Sequence, residues 1–260
     1  MFSVASRPKA QLAEARGWLA PGAPKALVIE DALEPARAAR IVERLTADAM
    51  PRHSFSPAFE AYSLGRILDQ AQPDLGDYFA ERPRYLDLLT RIGAGSLEHD
   101  VRALLQELTS LPIEVPTHPE DGAYGLSTLR YLPERGTIPP HCEREQLSQP
   151  THAHLTTLLA EQRLFSWYLL LRAPEEGGEL ALHPVLADSD AGRSIYADRM
   201  NARDWLPLDA AECVAAPTGA LVVFSGDQAF HEILPVKDPG GRWTLGGFLG
   251  FGKARVYAFS

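Results

Sequence analysis

The sequence predicts an α+β protein in which helices pack on the outside of a C-terminal double-sheet core. Two observations carry this. Leucine stripes at helical spacing occupy the first 122 residues, and after residue 123 short apolar segments recur between Gly/Pro turns. A third observation, a histidine–carboxylate pair followed far downstream by another histidine, says what such a core is for. The chain of 260 residues, 45% hydrophobic, is long enough for a sizeable core. It reads as one domain over 1–260, with a helix-rich part over 1–122 and the strand-rich core over 123–260.

Residues 8–19 suit a short leading helix, stopped by APGAP. KALVIEDAL (25–33) has the apolar, β-branched look of a strand. In EPARAARIVERLTADAM, Ala36, Ala39, Ile41, Val42 and Leu45 fall near helical spacing and Pro35 suits a first helical turn. Residues 57–112 carry further helical segments, notably YFAERPRYLDLLTRI and SLEHDVRALLQELTSL, whose leucines form core-facing stripes. Then AYGLSTLRYL, LFSWYLLLR, GGELALHPV, GALVVFSG and RWTLGGFLGF follow as punctuated strands, the signature of a β-sandwich or barrel.

Charge and cysteines narrow the function classes. Lys+Arg 25 against Asp+Glu 34 gives −9, which argues against nucleic-acid backbone binding and favours a small-molecule or peptide partner. Cys142 and Cys213 make no disulfide framework, which fits a reduced cytoplasmic setting. No apolar run approaches the roughly 18 residues that span a bilayer, and MFSVASRPKAQ lacks the apolar core of a secretory signal. No membrane or nucleic-acid partner is expected.

The chemistry centres on IPPHCEREQ (138–146). Pro139 and Pro140 hold the chain extended, so His141 and Glu143 project to one face and Cys142 to the other. His231 lies just beyond the strand GALVVFSG, after a Gly226-Asp227 turn. Two imidazoles and one carboxylate on neighbouring strands suit a facial triad on Fe(II), and they also suit Zn(II). Arg242, eleven positions after His231, shares a strand face with Thr244. A guanidinium fork and a hydroxyl are suited to the distal carboxylate of a 2-oxo acid.

With these residues the sequence resembles the Fe(II)/2-oxoglutarate-dependent oxygenases, especially the prolyl-4-hydroxylase-like branch. The resemblance is carried by LRYLPERGTIPPHCE, WYLLLRAPEEGGEL and PTGALVVFSGDQAFHEILPVKDPGGRWTLGGFLGF, and more loosely by ALVIEDALEPARAARIVERL. It implies a double-stranded β-helix (jelly-roll, cupin-like) core with flanking N-terminal helices. It implies iron held by His141, Glu143 and His231, the distal carboxylate of 2-oxoglutarate held by Arg242 and Thr244, and help from the hydroxyl of Tyr131. The family's usual pair is H-x-D, so Glu143 is one methylene longer. Halogenating relatives lack this carboxylate and place a halide there, so Glu143 argues for hydroxylation. Glu145 is a further carboxylate, reached only if the chain stays extended for two more residues.

The reaction implied uses O2, converts 2-oxoglutarate to succinate and CO2, and hydroxylates an unactivated C–H bond. The favoured substrate is a small molecule, with a free or carrier-bound amino acid in a biosynthetic pathway as one candidate. A protein or peptide side-chain hydroxylase, a non-catalytic cupin-like binding module and a zinc hydrolase are the other readings. REQLSQPTHAHLTTLLAEQ (144–162) and the segment 185–214 are the expected covers of the site. His152, His154, Trp167 and Arg193 are candidate substrate residues, with Arg199 and Arg203 as further cations of the second segment.

Overall fold

The computed structural model describes residues 2–19, 25–48, 52–68, 75–198 and 202–260. The strands are β1 (Ser3–Pro8), β2 (Lys25–Glu30), β3 (His53–Ser56), β4 (Phe59–Leu64), β5 (Ile113–Glu114), β6 (Thr117–His118), β7 (Gly122–Ala123) and β8 (Thr128–Leu132). They continue with β9 (Ile138–His141), β10 (Leu164–Arg172), β11 (Leu180–Leu186), β12 (Glu212–Val214), β13 (Leu221–Phe224), β14 (Ala229–Ile233), β15 (Arg242–Phe251) and β16 (Val256–Phe259). The longer helices are α1 (Pro35–Ala47), α2 (Gly76–Arg91) and α3 (Leu97–Thr109), with the short α4 (Ala153–Leu158) and α5 (Asp190–Ala197) among the later strands.

Two sheets face each other as a jelly roll. The larger runs β1-β2-β13-β10-β15-β8-β4-β3, with β16 and β5 attached beside β15. The smaller runs β12-β11-β14-β9. Strand alternation gives the large sheet two unlike faces. Leu27, Ile29, Trp167, Leu169, Leu171, Trp243 and Leu245 point to the helices, where Ala38, Ile41, Val42 and Leu45 of α1 and Val101, Leu104, Leu105 and Leu108 of α3 meet them. Ala26, Val28, Tyr168, Leu170, Val222 and Phe224 point inward to Leu180, Leu182, Ala229 and Ile233 of the small sheet. Pro35 sits in the first turn of α1, where its missing N–H costs nothing. The buried residues of α1 recur at three- and four-residue intervals, so one stripe of the helix docks on the sheet.

The structure departs from expectation in the first half. The leading helix over 8–19 is a 3-10 helix over Lys9–Ala15, preceded by β1, which pairs in parallel with β2. The β3–β4 hairpin lies where mostly helix was expected. Its short strands carry little intrinsic signal; what fixes them is pairing of Tyr62, Ser63 and Leu64 with Tyr131, Arg130 and Leu129 of β8. The large sheet therefore draws β1 to β5 from the first 122 residues.

The two expected covers are structured where they are described. Residues 143–158 fold into a 3-10 helix (Glu143–Ser148), a 3-10 turn (Pro150–His152) and α4. In the second, the Ser189 hydroxyl caps α5 by accepting from the Gly192 N–H. No helix among the described residues is long and apolar enough to cross a membrane.

Candidate metal centre

Three side chains meet between the sheets. β9 ends at His141, which sits opposite His231 of β14 in an antiparallel register. Glu143 opens the 3-10 helix rather than continuing the strand, and its N–H donates to the Gly226 carbonyl at 3.0 Å. That bond docks the Glu143 turn against the β13–β14 turn. The ligand atoms of His141, Glu143 and His231 lie within 4.8 Å of one another, the one such cluster among the described residues. His231 Nε2 is 3.1 Å and His141 Nε2 3.9 Å from Glu143 Oε1. Glu145 is not part of the cluster.

Each imidazole is oriented from behind. His141 Nδ1 donates to the Pro139 carbonyl at 2.8 Å and His231 Nδ1 to the Ala229 carbonyl at 3.2 Å. Both Nε2 atoms are thereby aimed at the common centre, as an oriented ligand histidine requires. The Ser166 hydroxyl donates to Glu143 Oε1 at 2.7 Å, while Glu143 Oε2 is buried with no hydrogen-bond partner. A buried carboxylate with one oxygen beside two aimed imidazoles and the other without a partner fits a divalent cation. Gly226 leaves the room: an added Cβ would collide with Ser166 Oγ and Glu143 Oε2.

The electrostatics suit the same group. Burial, reinforced by His231, pushes His141 down to about 4, so it is a neutral ligand at neutral pH. Burial alone would raise the Glu143 carboxyl; His231, His141 and Ser166 outweigh it and hold it below the usual carboxylate range. His231 is moved the other way: burial opposes its charge, but Glu143 raises it above the usual imidazole value. A cation at this centre and a proton on His231 compete for the same Nε2, which faces Glu143.

Arg242 opens β15 and is 4% exposed. Its guanidinium lies 4.7 Å from the Tyr168 ring centroid, and no acidic side chain among the described residues pairs with it. A buried cation without a carboxylate calls for one from a ligand. Thr244, also buried, is on the same strand face, and both line one cavity with His141, Glu143 and His231. Gly177 and Gly178 adopt φ of 77° and 72°, and a Cβ on Gly178 would sit 3.2 Å from Arg242 Cδ. The GGEL motif thus makes space for the arginine.

Several expected residues lie elsewhere. Tyr131 pairs in register with Trp243 and stacks on it, centroids 4.4 Å apart, so its ring is on the helix-side face of the sheet although the residue borders the cavity. Trp167 faces the same helix-side core. In both cases alternation places the neighbour in the site: Arg130 beside Tyr131, Ser166 beside Trp167. His152 is wholly buried, 6.3 Å from the Phe259 ring, and its carrier segment is packed rather than open. His154 stacks on Tyr124, whose hydroxyl meets its Nδ1 at 3.1 Å, in a cluster with His118 and Phe79 away from the metal ligands. Arg193 is spent on Asp190 and the Asp188 carbonyl at the surface of α5. Arg199 lies outside the described residues, as does the side chain of Arg203. Cys142 faces away from the centre, packed with Ala187, Ile195 and Phe230.

Ser166 and Tyr168 were not anticipated. A hydroxyl inside LFSWYLLLR, otherwise apolar up to its closing arginine, was the available signal.

The family model for the carrier-protein-independent halogenase WelO5 matches residues 14–260. No curated protein matches the sequence. Among solved structures, the fold is similar to an N-substituted L-amino acid dioxygenase from Burkholderia ambifaria AMMD. Without ligand that structure has a TM-score of 0.56 at 17% identity, covering 97% of this chain and 90% of that one. In complex with alpha-KG it has a TM-score of 0.54 at 16% identity, with the same coverage. An oxidoreductase of the 2OG-Fe(II) oxygenase family from Burkholderia pseudomallei has a TM-score of 0.51 at 16% identity, covering 98% of this chain and 99% of that one.

Proposed function

The chain belongs to the family of the carrier-protein-independent halogenase WelO5, as an Fe(II)- and 2-oxoglutarate-dependent enzyme, and on that premise we propose that it hydroxylates an unactivated C–H bond of a small molecule. The observation that carries this reading is Glu143. Its carboxylate fills the position where a halogenating relative needs room for a halide, so three protein ligands are provided rather than two. Ser166 and His231 both bond Glu143 Oε1, which is also the carboxylate oxygen nearer His141, while Oε2 lies against Gly226 without a hydrogen-bond partner.

Under this reading His141, Glu143 and His231 hold Fe(II), and Arg242 with Thr244 receives the distal carboxylate of 2-oxoglutarate. Bound together, metal and cosubstrate supply the oxidising power by which O2 hydroxylates a C–H bond as succinate and CO2 form. The protein's own contribution is placement. Backbone carbonyls fix the two imidazoles, Ser166 fixes the carboxylate, and Tyr168 braces the guanidinium. Leu132, Ile138, Tyr168, Phe224 and Ile233 wall the cavity and keep it dry. An amino acid, free or carrier-bound, is one candidate substrate under this reading. We further propose that the whole chain acts as one oxygenase unit, in the cytoplasm, where Cys142 and Cys213 stay reduced.

The test begins with anaerobic Fe(II) titration in the presence of 2-oxoglutarate, read by the visible charge-transfer band of the chelated pair. Substrates found by succinate release are then turned over with chloride and bromide present. Products gaining one oxygen atom support hydroxylation; products gaining the halide overturn it. A correctly folded protein that gives no band overturns the assignment of these residues to iron and cosubstrate.

A further inference from the structure

Arg242 stands between two cavities. In front lies the one it shares with Thr244 and the metal ligands. Behind lies a chamber of about 140 Å³, and Arg242 and Tyr168 line both. The rest of the chamber wall includes small side chains: Ala173, Pro174 and Gly178 of the β10–β11 loop, with Ala216 just past β12. At a water molecule's share of roughly 30 Å³, the space amounts to several waters.

The chamber is kept from collapsing because its loop is pinned. Asp238 accepts from the Glu175 N–H at 3.0 Å and from the Arg172 guanidinium at 3.1 Å. The Lys237 N–H donates to the Glu176 carbonyl at 3.0 Å, and Gly177 bridges to Val236. Arg242 is braced differently. Its guanidinium lies against the Tyr168 ring and pairs with no acidic side chain among the described residues, so shifting it breaks no ion pair. Glu175 and Glu179 also line the chamber. A guanidinium drawn backward therefore moves toward negative charge, and the same charge turns an anion away from this side.

A close-packed pocket discriminates against one added methylene by about ten- to two-hundredfold. A wall with space behind it yields instead. We infer that the cosubstrate site accepts a 2-oxo dicarboxylate one methylene longer than 2-oxoglutarate, the Arg242 guanidinium withdrawing into the chamber to receive the more distant carboxylate. This deepens the oxygenase reading and rests on it. Ala216, which lies outside the front cavity, then limits the length of the cosubstrate through the room it leaves behind the arginine.

The experiment uses the full chain loaded anaerobically with Fe(II). The parent, Ala216→Val and Ala216→Leu are titrated with 2-oxoglutarate, with 2-oxoadipate, and with 2-oxobutyrate, which lacks a distal carboxylate. Binding is read by the charge-transfer band and by calorimetry. The parent is expected to bind 2-oxoadipate within about tenfold of 2-oxoglutarate, below the discrimination of a rigid pocket. It should bind 2-oxobutyrate at least about tenfold more weakly than either diacid, for want of the charged hydrogen bonds. Filling the chamber should leave 2-oxoglutarate affinity unchanged while weakening 2-oxoadipate by about ten- to two-hundredfold in Ala216→Leu, and by less in Ala216→Val. A parent that binds 2-oxoadipate more than about tenfold more weakly than 2-oxoglutarate overturns the inference and needs no variant. So does 2-oxobutyrate binding as tightly as the diacids, or a folded variant that weakens both diacids alike or neither. Failure of the oxygenase reading is distinct: the parent then gives no charge-transfer band with any of the three acids.

Discussion

The two faces of the strands β8, β10 and β15 are equally hidden from water and chemically opposite. Toward the helices stand Tyr131, Trp167 and Trp243; toward the small sheet stand Arg130, Ser166, Arg242 and Thr244, one residue away in each strand. Trp243 is 0% exposed and Arg242 4%. Burying an apolar ring is favourable by itself, whereas burying a cation or hydroxyl costs free energy unless something bonds to it. On the inner face Ser166 bonds Glu143, and Arg242 has no acidic side chain beside it among the described residues, which is where a ligand carboxylate can supply the partner. On the proposed assignment, the helix side holds the fold and the inner side holds the chemistry.

Substitutions on the two faces should separate cleanly. The largest functional effect is expected from His231→Ala and Glu143→Ala: Fe(II) binding and succinate formation fall to background while circular dichroism stays that of the parent. Unfolding of either variant would break the comparison, because it would make the inner face structural. Arg242→Ala should weaken 2-oxoglutarate binding by about 2–5 kcal/mol, read by calorimetry, with little change in thermal stability. The matching change on the other face, Trp167→Ala, should cost about 3–5 kcal/mol of stability in denaturant unfolding. Its folded fraction should still bind the metal.

Ser166→Ala sharpens the comparison further, since Ser166 and Trp167 are adjacent in one strand. Loss of one hydrogen bond to an ionised carboxylate should cost about 1.5–3 kcal/mol of stability. Loosening Glu143 should lower Fe(II) affinity by about ten- to a hundredfold, the usual range for a residue that orients a metal ligand. A variant that binds iron like the parent would show that His231 alone positions the carboxylate.

How much of this was legible in the sequence depends on what fixes each residue. β10 could be read to its ends because nine residues, nearly all apolar, admit little else. The trio could be read because the H-x-E pair, a frequent pattern by itself, is followed by His231 and then by Arg242 and Thr244 in an order that resembles one family. Arg242 and Thr244 followed from their alternation. Tyr131 and Trp167 were placed on the wrong face because alternation gives parity, not its origin; the origin comes from register, here Trp243 against Tyr131 and Gly247 against Trp167. The β3–β4 hairpin, which supplies Phe55, was unreadable because its strands exist only through pairing with β8. His152 and His154 lay in a segment whose 3-10 turns pack it onto the barrel end, a tertiary outcome with no local signature.

The smallest expected effect concerns a second carboxylate near the first. Asp227 sits in the β13–β14 turn, buried, with Oδ1 lacking a partner. Glu143 has two imidazoles beside it; Asp227 has chiefly burial, which pushes it up to about 6. The folded protein thus holds a proton there that the unfolded chain releases near pH 4. Between roughly pH 4 and 6 the native state binds more protons than the unfolded state, so this group makes stability fall as pH rises. The loss is complete above pH 6. Asp227→Asn, which keeps the shape and can still accept a backbone hydrogen bond, should match the parent at pH 4 and exceed it by about 1–3 kcal/mol at pH 8. Chemical denaturation without added metal, at both pH values, reads the difference directly. If the variant is instead the less stable at pH 8, Asp227 is stabilised as an anion in the native state, and the contrast with Glu143 disappears.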